Sequence, residues 1–171
     1  YILTWTISND PCTPSTSSVT ITVNAVPSVA AAGDDQSICS TGSATLGATS
    51  PAVGTGVWSV FSGPSLNASQ FNNVNASGAI FTPDGGSGIY TLRWTVSNDP
   101  CPPSTDDVVI TVVAPPTPSN AGTDQEICST TASVTLAANI ATVGIGTWSA
   151  TGQSTNASQF SDVNDPAATF T

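Results

Sequence analysis

The chain has almost no positive charge. It contains one arginine, Arg93, and no lysine or histidine, against eleven carboxylates, which gives a net charge of −10 at pH 7. Nucleic-acid binding needs clustered Lys and Arg to displace counterions, and binding to anionic membranes needs a basic surface. The composition therefore predicts that neither nucleic acid nor an anionic membrane is a partner.

Two further absences narrow the class of function. No run approaches the roughly 20 apolar residues of a membrane span, so no membrane insertion is expected. Without histidine or lysine the chain lacks the commonest acid–base and Schiff-base groups. The adjacent carboxylates Asp34-Asp35 and Asp106-Asp107 are interpreted as solvated turn residues. The sequence therefore predicts a protein that is not an enzyme and has no resident cofactor.

What the chain does contain is a long internal repeat. The repeated segments are Tyr1–Cys12 with Tyr90–Cys101, Ala32–Cys39 with Ala121–Cys128, and Asn67–Phe71 with Asn156–Phe160. In each pair the second copy starts 89 residues after the first, as Cys12 and Cys101 show. A period of this length corresponds to one small domain rather than to one solenoid turn.

The hydrophobic pattern within each repeat is that of β-strands. Apolar and polar residues alternate along Tyr90–Ser97 and again along Val19–Val23. Turn signals rich in Gly, Asn and Pro recur about every 8–12 residues, and no segment keeps a helical period. The pattern predicts an all-β protein built from tandem β-sandwich domains with an 89-residue period.

Proline-rich spacers mark the predicted domain joints at Val26–Ser28 and Ala114–Ser119. Residues 27–115 are then one complete domain. Residues 1–26 are the last two strands of a preceding domain, and residues 116–171 are the first strands of a following one.

Both end fragments lack the strands that would complete a sandwich. A two-stranded ribbon is marginal in water, and residues 116–171 would keep an open apolar groove. Thr171 corresponds to Thr82, and seven more residues would return the repeat to the equivalent of Tyr1. Either the segment is a window from a longer chain, or the first strands of one copy complete the last domain of its neighbour. Both predict head-to-tail contacts, which build an open filament.

Several motifs resemble one known class of repeat. They are Ala-Gly-x-Asp-Gln-x-Ile-Cys, the Gly/Thr-rich strand with Trp58, and Tyr-x-Leu-x-Trp-x-Val-Ser-Asn-x-Pro-Cys. Together they resemble the PKD-like, immunoglobulin-like repeats of large secreted bacterial surface proteins and adhesins. The resemblance implies a seven-stranded immunoglobulin-like sandwich, an extracellular or cell-surface location, and a role in a stalk or fibre.

Three hypotheses about function follow. The first is a structural repeat of an extracellular bacterial fibre or adhesin stalk, whose partners are copies of itself. The alternative is a ligand- or glycan-binding adhesin module with a target on a cell surface. The third is an accessory domain of a secreted enzyme. A binding assay on one repeat separates the first two, because a spacer should bind nothing.

The four cysteines lie at matching places in the repeats and have no zinc-ligand spacing, so disulfides in an oxidising compartment are expected. Cys39 should follow the first strand of the domain and Cys101 should lie in the last hairpin loop. Those positions would be about 25 Å apart along a strand of about eight residues. Disulfides between domains are therefore favoured over Cys39–Cys101. A bent or short first strand would reverse this preference. Pairing Cys12 with Cys39, or Cys101 with Cys128, within one chain would join distant poles of adjacent domains, so these two pairings are rejected.

Two kinds of modification or ligand site are candidates. Asn67, Asn75 and Asn156 each begin an Asn-Ala-Ser acceptor sequence for N-glycosylation. Covalent glycans would also suit a surface with so few charges. Calcium is the second candidate, with oxygen ligands from Asp34, Asp35 or Asp124 near the domain joint.

Overall fold

In the computed structural model the described residues are 1–128, 133–152 and 155–171. The chain divides into two compact units. The first unit comprises Tyr1–Ile38 and Gly42–Val112, and the second comprises Cys39–Thr41 and Val113–Thr171. Within the described ranges no helix is long and apolar enough to cross a membrane.

Regular structure in the described part of the chain is almost entirely β-strand. The strands are β1 (Ile2–Ile7), β2 (Ser15–Thr20), β3 (Gln36–Cys39), β4 (Ala44–Thr45), β5 (Thr55–Ser62), β6 (Ile80–Phe81), β7 (Gly88–Asn98), β8 (Cys101–Val113), β9 (Val134–Thr135) and β10 (Thr169–Phe170). Single 3-10 turns occur at Ala68–Gln70 and Ala157–Gln159.

A complete sandwich is built from β3 to β8. One sheet has the strand order β3-β8-β7-β5, and the other consists of β4 paired with β6. β5, β7 and β8 pair antiparallel, with Trp94 opposite Trp58. This arrangement is an immunoglobulin-like β-sandwich. The predicted fold class is thus confirmed.

The segment that leads into β3 runs alongside β8 in the same direction. The amide of Ala30 donates to Ser104 Oγ at 2.9 Å, and that of Ala32 donates to Asp106 Oδ2 at 2.7 Å. Farther along, the amide of Ser40 donates to the carbonyl of Val113 at 2.8 Å. The residue numbers of the hydrogen-bonded partners therefore increase together along both segments, which is a parallel arrangement. The C-terminal end of β3 consequently lies beside the C-terminal end of β8.

The core lies between the two sheets and is rich in aromatic rings. Along β7 the alternating residues Tyr90, Leu92, Trp94 and Val96 are buried, as the sequence pattern predicted. The rings of Trp94 and Trp58 have centroids 5.1 Å apart, and those of Tyr90 and Phe81 are 5.3 Å apart. The hairpin of β7 and β8 thus supplies about half of the packed core.

The carboxylate pair Asp106-Asp107 lies in the sheet rather than in a turn. Asp106 and Asp107 lie inside β8, so their interpretation as turn residues is wrong. Asp107 accepts two hydrogen bonds from Arg93, at 2.7 and 2.8 Å, which hold the pKa of Asp107 below its usual value. Arg93 and Asp107 are opposite each other on neighbouring strands, and alternation along the strands places both side chains on the outer face of the sheet. This position explains why Arg93 and Asp107 form an ion pair.

Candidate functional site

The hairpin of β1 and β2 has an uncovered apolar face, here called the hairpin face. Its strands pair antiparallel, with Leu3 opposite Val19. The exposed side chains of the hairpin face are Tyr1, Leu3, Trp5, Ile7, Val19, Ile21 and Val23. The exposure of Trp5 is 73% and that of Tyr1 is 82%, which is unusual for large rings on a strand with a regular alternating pattern.

The equivalent residues one period later in the chain are buried. Their equivalents in β7 and β8 are Tyr90, Leu92, Trp94, Val96, Val108, Ile110 and Val112, and all seven belong to the core. Trp94 is 1% exposed and Tyr90 is 0% exposed. One sequence pattern therefore occurs twice in the chain, once packed and once bare, so the hairpin face is a core face without its partner.

The second unit contains the complementary half of a core. β9 pairs with β10 as β4 pairs with β6. The rings of Trp148 and Phe160 are stacked with centroids 6.4 Å apart, against 6.3 Å for Trp58 and Phe71 in the complete sandwich. Phe160 and Phe170 are 5.3 Å apart, as their equivalents are at 5.5 Å. The receiving half of the sandwich is already formed.

Among its described residues, the second unit has no hairpin equivalent to β7 and β8. In the complete sandwich Trp94 packs on Trp58. The equivalent Trp148 is only partly buried. Residues 145–150 form no strand, although the equivalent residues of β5 do. β5 is paired along its length with β7, which explains why the equivalent segment stays irregular without such a partner.

In the second unit Gly146 and Gly152 lie at positions where the complete sandwich packs a tryptophan ring and a tyrosine ring against glycine. A Cβ added at Gly56 would lie 2.0 Å from the ring of Trp94, so that position has no room for any side chain. The equivalent Gly146 has no atom within 4 Å of an added Cβ. Gly63 is crowded in the same way, at 2.7 Å from the ring of Tyr90, and its equivalent Gly152 is open.

These features define an acceptor groove in the second unit. It has a volume of about 490 Å³. Its walls include Pro116, Ala138, Val143, Gly146, Trp148 and Val163. Sequence reasoning anticipated the open groove but missed the glycines. The available signal was a glycine two residues before the repeated tryptophan in both repeats, at Gly56 and Gly146.

Two of the four cysteines proposed for disulfides lie at the ends of strands. Cys101 begins β8, whereas Cys39 ends β3, beside the hydrogen bond from Ser40 to Val113 at the end of β8. β8 has 13 residues. A strand of that length spans about 40 Å, and a disulfide needs Cα atoms within about 7 Å. The structure therefore does not bring Cys39 and Cys101 together. Cys12 is exposed in the turn that joins β1 to β2.

All three predicted glycosylation sites are exposed. Asn67 and Asn156 hold equivalent positions just before the two 3-10 turns. The side-chain amide of Asn67 donates to Asp84 at 2.9 Å, and Asn156 Oδ1 accepts from the amide of Ser158 at 3.0 Å. Asn75 lies in the loop before β6. A glycan on any of the three asparagines could extend into solvent.

The structure also gives the surroundings of the three aspartates that are candidates for calcium binding. Asp35 Oδ1 accepts the amide of Val109 at 2.8 Å, so this carboxylate helps to hold the segment before β3 against β8. Asp34 and Asp124 are exposed. Within residues 1–128, 133–152 and 155–171, no group of three or more His, Cys, Asp or Glu side chains could hold a metal ion.

The strand order and the two uncovered faces define the class of the protein as an immunoglobulin-like sandwich repeat. No family model matches the chain, and no curated protein matches it. Among solved structures the chain is similar to one described as "Protocadherin gammaB7 EC3-6 cis-dimer structure", with 15% identity and a TM-score of 0.38. The match covers 99% of this chain and 49% of that one. At so low a TM-score the likeness carries no argument, and the fold rests on the sheet order.

Proposed function

We propose that the protein is a structural repeat of an extracellular fibre, in which the hairpin face of one copy fills the acceptor groove of the next. The proposal rests on the comparison between the complete sandwich and its two uncovered counterparts in the same chain. The β7–β8 hairpin is buried in its own sandwich, and the equivalent hairpin and the equivalent groove are both uncovered in the same chain.

The magnitude of the burial supports assembly. Burying a large apolar side chain contributes about 1.5–3 kcal/mol, and the hairpin face offers seven of them. Association costs an estimated 4–15 kcal/mol in lost translational and rotational freedom, before any ordering of side chains. The gain from seven such side chains is therefore of the same order as the cost of joining two copies or larger, and that cost includes ordering residues 145–150 into a strand.

The geometry of the contact favours an open chain of copies. The hairpin face and the acceptor groove are different surfaces, so a joined pair of copies still has one free hairpin face at one end and one free acceptor groove at the other. Such heterologous contacts extend into filaments unless the rotation between copies closes a ring. The added hairpin would also give residues 145–150 a strand to pair with, as β7 pairs with β5.

Electron microscopy of the purified 171-residue chain at rising concentration tests the proposal. We expect rods with an axial repeat of about two domains per copy, and sedimentation that shifts to larger species with concentration. A chain that stays monomeric, or that closes into a compact ring, would contradict it.

We also propose that Asn67, Asn75 and Asn156 carry N-linked glycans in the secreted fibre. Their exposure supports this, and so does a surface with only 7% charged residues, which needs another source of solubility.

The expected result is that natively produced protein has an intact mass above the mass calculated from its sequence, which is 17.1 kDa for residues 1–171, and that the mass falls by one glycan increment in Asn67→Gln. The matched control is Asn73→Gln, because Asn73 is exposed but begins no acceptor sequence. A bare mass for the natively produced protein would refute glycosylation and leave the assembly proposal standing.

A further inference from the structure

Cys101 lies against the linker that enters its own domain. Its Sγ is 3.4 Å from the carbonyl oxygen of Ala25 and 3.7 Å from that of Asn24. The same hairpin turn is tied to this linker by the side chain of Asn98, which donates to the Ala25 carbonyl at 2.8 Å, and by Asn24, which donates to the Asp99 carbonyl. Cys101, in the hairpin that closes the complete sandwich, is therefore held beside Asn24 and Ala25 of the linker.

The linker residues one period later are contacted by a different cysteine-bearing segment. Asn24 and Ala25 correspond to Val113 and Ala114 in the repeat. The carbonyl of Val113 accepts the amide of Ser40 at 2.8 Å, which places the adjacent Cys39 next to this linker. Cys39 thus approaches the outgoing linker of the sandwich as Cys101 approaches the incoming one.

The two contacts converge when copies join head to tail. Cys12 occupies in the β1–β2 hairpin the position that Cys101 occupies in the β7–β8 hairpin. If the hairpin of a second copy fills the acceptor groove, its Cys12 lies against Val113 and Ala114, as Cys101 lies against Asn24 and Ala25. Cys39 of the first copy and Cys12 of the second then meet at the same carbonyl.

We infer that each joint of the fibre is closed by two disulfides, from Cys39 to Cys12 of the next copy and from Cys128 to Cys101 of the next copy. The inference rests on the proposed assembly. The second pair follows from the repeat, because Cys128 is the equivalent of Cys39 and Cys101 is the equivalent of Cys12. The inference assigns every cysteine of the chain to a disulfide between copies.

The local chemistry suits Cys39 as the attacking group. Thr41 Oγ1 donates to Cys39 Sγ at 3.4 Å, and this hydrogen bond lowers the pKa of the Cys39 thiol from its usual value. A larger thiolate fraction at neutral pH speeds thiol–disulfide exchange. Each new disulfide releases two protons and two electrons from two thiols, and a disulfide oxidant such as oxidised glutathione takes up both electrons and both protons and becomes two thiols.

An isotope-mixing experiment tests the pairing. Equal amounts of unlabelled and ¹⁵N-labelled chain are reduced, mixed, oxidised with glutathione disulfide and digested with pepsin, since the single Arg93 makes trypsin unsuitable. We expect a non-reducing ladder of whole multiples of the chain. We also expect linked peptides Cys12–Cys39 and Cys101–Cys128, about half of them with one light and one heavy partner. Linked Cys39–Cys101 peptides, or pairs that are never isotopically mixed, would overturn the inference.

A double variant separates this inference from the assembly itself. Cys12→Ser with Cys101→Ser should remove the ladder completely but leave filaments visible by microscopy, because neither residue belongs to the hairpin face or the acceptor groove. Filaments of the unmodified chain without the expected linked peptides would overturn the disulfides alone. Absence of both filaments and mixed peptides would overturn the assembly as well.

Discussion

Trp5→Ala should abolish head-to-tail assembly and leave the stability of the complete sandwich unchanged. Trp5 is 73% exposed and lies on the hairpin face, so its removal takes nothing from the core of the sandwich built from β3 to β8. In the joined fibre the same ring would occupy the place over Gly146 and Trp148 that Trp94 occupies over Gly56 and Trp58. Large aromatic anchors at the centre of an interface commonly carry 2 kcal/mol or more of binding free energy.

Trp94→Ala is the matched variant with the opposite outcome. Trp94 is 1% exposed and packs on Trp58, so its loss should lower the free energy of unfolding of the complete sandwich by about 3–5 kcal/mol. Thermal unfolding followed by circular dichroism measures this effect, and sedimentation velocity measures assembly. Trp5→Ala protein that still forms filaments, or that melts as early as Trp94→Ala, would contradict the proposed role of the hairpin face.

The sequence predicted the strands well because their signal is local. Alternation along Tyr90–Ser97 was enough to predict a half-buried strand, and the structure buries Tyr90, Leu92, Trp94 and Val96. The open hairpin was equally predictable, because it repeats a strand pair whose partners were identifiable elsewhere in the chain. Periodicity thus determined both the elements and the surfaces left uncovered.

What the sequence could not predict depends on contacts between distant residues. The crowding of Gly56 comes from a ring 38 positions later, at Trp94, and only the register of β5 against β7 brings the two together. Asp106 and Asp107 were misread for the same reason, because β8 continues through them to meet the amide of Ala32 and the side chain of Arg93. Spacing alone contains no information on such pairings.

For the cysteines, the sequence predicted the separation of Cys39 and Cys101 but not the groups that each thiol lies beside. Spacing suggested that Cys39 and Cys101 lie far apart, and the order of contacts along β8 places them beside different linkers. The specific partner of each thiol was not accessible from the sequence, because it depends on the hydrogen bond from Ser40 to Val113 and on the contact of Cys101 with Ala25. Both contacts involve backbone atoms that no residue pattern reveals.

Gly146→Ala should block assembly through the acceptor side, without any change to the hairpin face. Nothing lies within 4 Å of a Cβ added at Gly146, so the variant should fold normally, and the loss of a glycine can raise stability by about 0.4–1 kcal/mol. In the joined fibre the new methyl group would collide with the ring of Trp5 of the next copy, as a Cβ at Gly56 would collide with Trp94 at 2.0 Å.

Gly56→Ala and Gly47→Ala complete the series. Gly56→Ala should lower the free energy of unfolding of the complete sandwich by about 1–3 kcal/mol or more, since the core must shift to accept the methyl group. Gly47 has open space around an added Cβ and its equivalent in the second repeat is Ala137, so Gly47→Ala should affect neither folding nor assembly. Calorimetry and sedimentation together distinguish the three variants. Normal filaments from Gly146→Ala would show that the ring of Trp5 does not enter the acceptor groove over this glycine, and the proposed joint would be wrong.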